Sequence, residues 1–384
     1  MGVARIGIFT FYTGNYGAAL QAFGTQYYLR NRLGADALIV RTRPGVSGES
    51  WLGRLFRRGG VLRRPAAKLR RGFRRNERQV SPFFRELAAA RARKFREFEE
   101  TQLKLDDNTN RLYREYYRNP PDYDIYLSGS DQVWNPTGFG RCNPIYYLDF
   151  VPEGKRRVSY ASSFAISEIP AQYRREMKRF LARFDSISVR ETEGADIVRQ
   201  LTGVRPPVVA DPTFLLTGGQ WRQVTSSADS APRQPYIFFY RLGKHPYYNE
   251  FKEYALAETG LDPAVLPIRE EDCIPGITPV DADPFGFVRL IAGAALVVTD
   301  SFHAAALSIN LNVPFYALLR DDPAKKGNMN SRVRSLLERL DLTGRLILPG
   351  TPFPRPLTLT PPNADTLLTP WRTESAAYLK AALT

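Results

Sequence analysis

The sequence predicts an α/β protein built from two Rossmann-like domains that face each other across a cleft. Three observations carry that expectation. The chain has 384 residues, more than one hydrophobic core usually serves. Short apolar runs alternate with amphipathic helical stretches, the pattern of parallel α/β architecture. The alternation occurs twice, on either side of a proline-rich join, RPPVVADPTFLL at 205–216. The boundary is placed near residue 210, giving units 1–210 and 211–384.

In chain order, RIGIFTF (5–11) reads as the first strand, because β-branched and aromatic residues cluster there. A helix follows at 18–33. Further strands are expected at 37–41, 125–129, 157–162 and 186–190, with helices at 83–103, 170–183 and 191–202. The interval 44–120 breaks this rhythm; it is basic, helical in pieces, and reads as an insertion. The second unit has strands at 236–242, 264–268, 295–300 and 313–319. Its helices fall near 247–259, 284–293, 302–310, 330–341 and 365–382.

Composition narrows the function classes. Hydrophobic residues make up 43% of the chain, including 23 Phe and 20 Tyr, enough to fill two cores and to exclude a disordered protein. No apolar run approaches the roughly 18 residues that cross a bilayer. The start, MGVARIGIFTFYTG, has no basic leader or small-residue cleavage site, so it reads as a strand, and a cytoplasmic location is expected. Cys142 and Cys273 cannot make a disulfide framework or a cysteine zinc site. Neither His245 nor His303 has metal-ligand spacing, so no catalytic transition metal is expected; no cofactor is expected either.

The formal charge of +15 favours anionic partners. It concentrates between Arg54 and Arg78, where eleven Lys or Arg stand against one acid. Such a tract reads either as a solvated basic segment or as a patch that docks on anionic lipid headgroups. Nucleic acid ranks below both, because no recognition motif accompanies the tract.

Polar clusters fall at the carboxyl ends of the expected strands, where open parallel sheets bind ligands. Asn15, Tyr16 and Gly17 follow the first strand, with Gln21 one turn into the helix. These residues fit a tight turn and equally an anion-binding helix start. Ser130, Asp131, Gln132 and Trp134 follow the strand at 125–129. Asp131 fits a helix cap as well as a base for a sugar hydroxyl, with Trp134 offering an aromatic face to the ring. Arg190 ends the strand at 186–190, and its guanidinium suits a carboxylate or phosphate better than a plain surface ion pair with Glu191. Arg241 and Lys244 lie in the loop after 236–242. Ser301 fits as the cap of the helix at 302–310, and His303, in its first turn, is a candidate proton carrier.

Six of these stretches occur in one order: NYGAALQ, GSDQVWNP, YYLDFVP with VSYASSF, SVRETEG, VVADPTFLL and VVTDSFHAAALSINLNVPFYAL. In that order the chain resembles the polysaccharide pyruvyl transferases over about residues 5–340. The resemblance implies a fold like that of two-domain GT-B glycosyltransferases. It implies phosphoenolpyruvate as co-substrate, a sugar acceptor, and a ketal-linked pyruvate as product. It further implies His303 as the acid and Arg190 as a donor ligand, with Asp131 the weaker candidate for the base. Some members carry an arginine where this chain has Ser301. The donor's second cation is then expected from Arg241 or Lys244. Two other classes remain: a GT-B glycosyltransferase using a nucleotide sugar, with Glu270, Glu271 and Asp272 as ribose contacts, and a non-catalytic binder acting through the basic tract.

Overall fold

The computed structural model describes residues 3–43, 81–227, 232–320 and 330–384. The basic tract Arg54–Arg78 lies outside them. Two five-stranded sheets, parallel throughout, form the frame. The first joins β1 (Arg5–Phe9), β2 (Asp36–Arg43), β3 (Leu105–Leu112), β4 (Ile125–Ser128) and β5 (Arg156–Ser159) in the order β3-β2-β1-β4-β5. The second joins β6 (Tyr236–Tyr240), β7 (Asp262–Val265), β8 (Leu296–Thr299), β9 (Phe315–Leu318) and β10 (Leu346–Ile347) in the order β10-β9-β8-β6-β7. In each sheet the order reverses beside its first strand. That leaves a crevice at the carboxyl ends of β1 and β4, and another at those of β6 and β8.

The helices of the first unit are α1 (Tyr16–Asn31), α2 (Pro82–Gln102), α3 (Tyr113–Arg118), α4 (Pro136–Phe139), α5 (Ala171–Leu181) and α6 (Thr192–Thr202). Then come α7 (Gly218–Val224), α8 (Tyr247–Thr259), α9 (Pro284–Ala292), α10 (Phe302–Asn310), α11 (Ser331–Arg339) and α12 (Asp365–Leu383). Several start where the sequence signals a start. Ser81 accepts from Phe84 N at 3.2 Å with Pro82 in the first turn of α2, and Asp283 caps α9 in the same way. Among the described residues no helix is long and apolar enough to cross a membrane.

Two expectations change. Residues 186–190 do not form a regular strand; their backbone pairs with the sheet through isolated bridges, Val158 with Ser186 and Ser162 with Val189. Side-chain hydroxyls have entered the ladder. Ser159 Oγ donates to Ser188 O and Ser188 Oγ to Ser159 O, both at 3.0 Å, and Ser159 Oγ also accepts from Ser188 N. Conversely β3, sequence LDDNTNRL, is a genuine edge strand inside the interval read as an insertion. Its polar composition carries no strand signal, and a polar edge discourages pairing with another chain.

The two units share one apolar interior. Tyr16 of α1 stacks on Phe287 of α9 with ring centroids 4.6 Å apart, and its hydroxyl donates to Ala282 O at 2.8 Å. Phe23 of α1 and Phe98 of α2 meet Phe285 edge-on at 5.0 and 5.1 Å. Helix α2 reaches the second unit through Arg91 and Lys94, both paired with Asp281. Helix α12 crosses back the other way: Trp371 Nε1 donates to Val208 O, Tyr378 to Ser159 O, and Ser375 Oγ accepts from Ala210 N.

Candidate active site

The two crevices face each other, and the side chains that close on the gap come from both units. After β8 the chain turns through Thr299 and Asp300 into α10. Ser301 caps that helix, its hydroxyl accepting from Ala304 N at 3.4 Å. The Asp300 carboxylate accepts from Leu242 N and Gly243 N at 2.6 and 2.7 Å, which ties the loop after β6 to this turn. His303, one residue into α10, is buried against the start of α1. There Asn15 accepts from Gly17 N and Ala18 N. A Cβ built on Gly17 would collide with the His303 imidazole. Gly17 is therefore the residue that admits the histidine; the turn itself is made at Gly14, whose φ is 72°.

Behind His303 sits Asp211, fully buried in the connector between the units. Its two oxygens do different work. Oδ1 accepts from Thr213 N and Oγ1 at 3.0 and 2.8 Å, capping a short turn. Oδ2 accepts from Arg190 Nη1 at 2.9 Å and Ser130 Oγ at 3.0 Å, and lies 3.6 Å from His303 Nε2. Burial works to raise the Asp211 carboxyl. The neighbouring His303, with Arg190, overcomes it and holds the group well below the usual carboxylate range. Arg190 Nη1 also lies 3.4 Å from His303 Nε2, so the imidazole, the guanidinium and the Asp211 carboxylate form one buried cluster.

Arg190 is fully enclosed. Besides Asp211 it has Asp131 at 3.6 Å and Glu191 at 3.9 Å, and its guanidinium lies 4.4 Å over the Phe302 ring. Burial acts to lower its pKa, but Asp211, Asp131 and Glu191 together raise it. Asp131 is not a helix cap. Its φ of 69° places it in the left-handed region, with its carbonyl accepting from Val133 N and Ser163 N. Its carboxylate lines the cleft between the two units. Asn15, Gln132, Ser301, His303, Arg320 and Arg332 also face that cleft.

The structure brings His303, Asp131, Arg190, Ser301, Asn15, Gly17 and Gln132 together, and seats the remaining sequence candidates elsewhere. Trp134 is buried in the core, stacked on Tyr147 with Nε1 bonded to Tyr146 O, so it offers no face to a sugar. Tyr16 is spent on the contact between units. Gln21 is buried and donates to Thr10, Phe11 O and Ala18 O, bracing the first loop. Ser130 faces Asp211 and not the cleft. Arg241 is held by Asp272 at 2.6 Å, and Lys244 is an exposed residue 3.8 Å from Glu271; neither lines the cleft. The acidic run is likewise engaged, Asp272 also with Arg269 and Glu270 with Ser81 N.

Asp211 and Arg332 escaped the sequence reading, as did Arg320 on the cleft wall. Asp211 stood in a quoted stretch, but an Asp before Pro signals only a cap, and the job of its second oxygen is set by residues up to 92 positions away. Arg332 opens an amphipathic helix, where a cation beside apolar positions reads as solvent-facing.

Residues 15–322 match the family described as polysaccharide pyruvyl transferase. The chain belongs to that family. It is accordingly a transferase of polysaccharide synthesis, and the family segment contains Asp131, Arg190, Asp211 and His303 but ends before Arg332. No curated protein matches the sequence. Among solved structures, the chain is similar to one described as a UDP-N-acetylglucosamine 2-epimerase from Listeria monocytogenes. The TM-score is 0.46 and the identity 10%, covering 100% of this chain and 96% of that one. It is also similar to E. coli heptosyltransferase WaaC with ADP, at TM-score 0.39 and 13% identity, covering 97% and 99%. Likenesses this distant say nothing about activity.

Proposed function

We propose that this family member transfers a pyruvyl group from phosphoenolpyruvate to two hydroxyls of one sugar, closing a cyclic ketal. The observation that carries the proposal is a histidine seated against a glycine, backed by a buried carboxylate, and opening on a cleft walled by arginines. His303 gives a proton to the methylene carbon of the enol, and the carbon bearing phosphate becomes electron-poor. One sugar hydroxyl adds to that carbon and passes its proton to Asp131. The carbon–oxygen bond to phosphate then breaks, its electron pair leaving on phosphate. The second hydroxyl adds, loses its proton, and the ring closes. One proton is taken up and two are released, the difference leaving on phosphate. Positioned proton transfer of this kind contributes about 10²- to 10⁴-fold to rate.

The ribose contacts considered for a nucleotide-sugar transferase, Glu270, Glu271 and Asp272, are engaged in ion pairs and backbone contacts away from the cleft. In the proposed setting the acceptor belongs to the cell envelope, and the basic tract holds the enzyme at the inner membrane face.

A thermal-shift panel tests the donor. Phosphoenolpyruvate should raise the melting temperature by an amount set by its concentration over its dissociation constant, and nucleotide sugars should not. With a panel of sugar acceptors, His303→Gln should retain that shift while phosphate release falls by about 10²- to 10⁴-fold. Stabilisation by nucleotide sugars alone would overturn the proposal.

A further inference from the structure

Two arginines stand at this site with opposite charge balance. Arg190 is surrounded by Asp211, Asp131 and Glu191. Arg332, from the first turn of α11, is buried to nearly the same degree, yet among the described residues no carboxylate lies within ion-pair distance of it. Its Nη1 and Nη2 lie 3.1 Å from the Gln132 amide oxygen, in the amide orientation that both groups require, and its Nε has no partner among the described residues. Burial first, and Arg190 second, push its pKa down to about 10, with Asp131 opposing. A buried cation left in this state is unfavourable, and an arriving anion relieves it.

The surroundings point to the kind of anion. Helices α10 and α11, nine residues each, both begin at the cleft: Ser301, Phe302 and His303 line it from one, Asn330, Arg332 and Val333 from the other. Helix starts carry partial positive charge and outward-facing amides, which suit a phosphate. Arg320 stands on the same wall. Arg241 and Lys244, the sequence candidates for a second cation, do not reach the cleft. Arg332 is thus a second cation that does.

We propose that Arg332, between the starts of α10 and α11, binds the phosphate of the donor, while Arg190 acts as a positioning residue that holds Asp211 against His303. The assignment rests on the donor proposed above, and adds a residue beyond the segment that matches the family. Gln132, from the first unit, holds the guanidinium in place, so the phosphate subsite is assembled from both units.

Calorimetric titration with inorganic phosphate and with phosphoenolpyruvate, paired with melting curves, tests it. Arg332→Gln should weaken both ligands by roughly tenfold or more, because a charge-assisted, bidentate contact is lost. Without ligand the variant should melt at the same temperature as wild type or higher, because an uncompensated buried charge is gone; a purely structural arginine would give the reverse. Arg332→Lys should recover part of the phosphate affinity, and serves as the readout if the glutamine variant does not fold. Unchanged phosphate affinity in both variants overturns the assignment, as does a lower melting temperature with affinity intact. If phosphoenolpyruvate binds wild type no more tightly than phosphate does, yet both depend on Arg332, the subsite stands and the donor proposal falls. If phosphoenolpyruvate binds wild type and variant equally, the subsite falls and the donor proposal stands.

Discussion

At the scale of single residues, the site is organised by what surrounds each charge. Asp211 is fully buried, and its carboxylate is stabilised by Arg190, Ser130, Thr213 and His303. Removing one partner of such a buried pair strands the other. Asp211→Asn should therefore destabilise the protein by about 3–5 kcal/mol at neutral pH, read as a fall in the urea midpoint. The sign of its pH dependence follows from the depressed folded-state pKa. The carboxylate's contribution is fully present above the unfolded value of about 3.9 and is lost as pH falls through the folded one. The stability gap between wild type and Asp211→Asn should narrow as pH drops below about 4, because wild type weakens. A gap that stays constant down to pH 3 would show that the carboxylate's charge is not what the site uses.

Among the elements, α12 decides how firmly the units are joined. It belongs by sequence to the second unit but packs on the connector and the edge of the first sheet. Trp371 is buried there, bonded to Val208 O, 5.9 Å from the Phe214 ring and covered by Arg339. Truncating a buried tryptophan removes its apolar contacts and leaves a cavity that the helices cannot fully close, so Trp371→Ala should cost about 3–5 kcal/mol, measured by chemical unfolding. Asp211 and His303 lie in elements that this contact holds in register, through Arg372 to Phe214 O and to Asn310 Oδ1. Turnover should consequently fall in Trp371→Ala even under conditions where the variant stays folded. Full turnover in a destabilised Trp371→Ala would show that α12 is a brace without influence on the site.

For the whole molecule, the large positive charge and the shared interior have different consequences. The aromatic contact between units, built on Tyr16, Phe23, Phe285 and Phe287, sets the cleft as part of the fold. The charge acts outward. Deleting residues 54–78 removes eleven cations and one acid, which takes the formal charge from +15 to +5. Each cation near an anionic surface is worth about 1 kcal/mol, and salt screens the attraction. The deletion variant should therefore lose cosedimentation with vesicles containing anionic lipid, which wild type should show at low salt. It should keep phosphoenolpyruvate-dependent phosphate release on a soluble sugar acceptor. Loss of that release in a folded deletion variant would assign the tract to the catalytic cycle.

The sequence by itself determined the α/β class, the repeated strand–helix rhythm and the family, and it singled out His303, Asp131 and Arg190, which the fold brings together. These are local signals: apolar periodicity, capping residues, and polar clusters at strand ends, each written within a few residues. Only the tertiary structure decided what each group does. Trp134 and Gln21 looked like ligands because they adjoin a strand end, and packing placed them in the interior. Arg241 and Lys244 looked free because sequence does not show a partner 27 or more residues away, and Asp272 and Glu271 hold them. Edge strand β3 was hidden because its stability comes from the ladder of β2, not from its own side chains. Asp211 and Arg332 gain their roles from charges that are close in space and distant in the chain. Electrostatic energy depends on separation and burial, and neither is written in the order of residues.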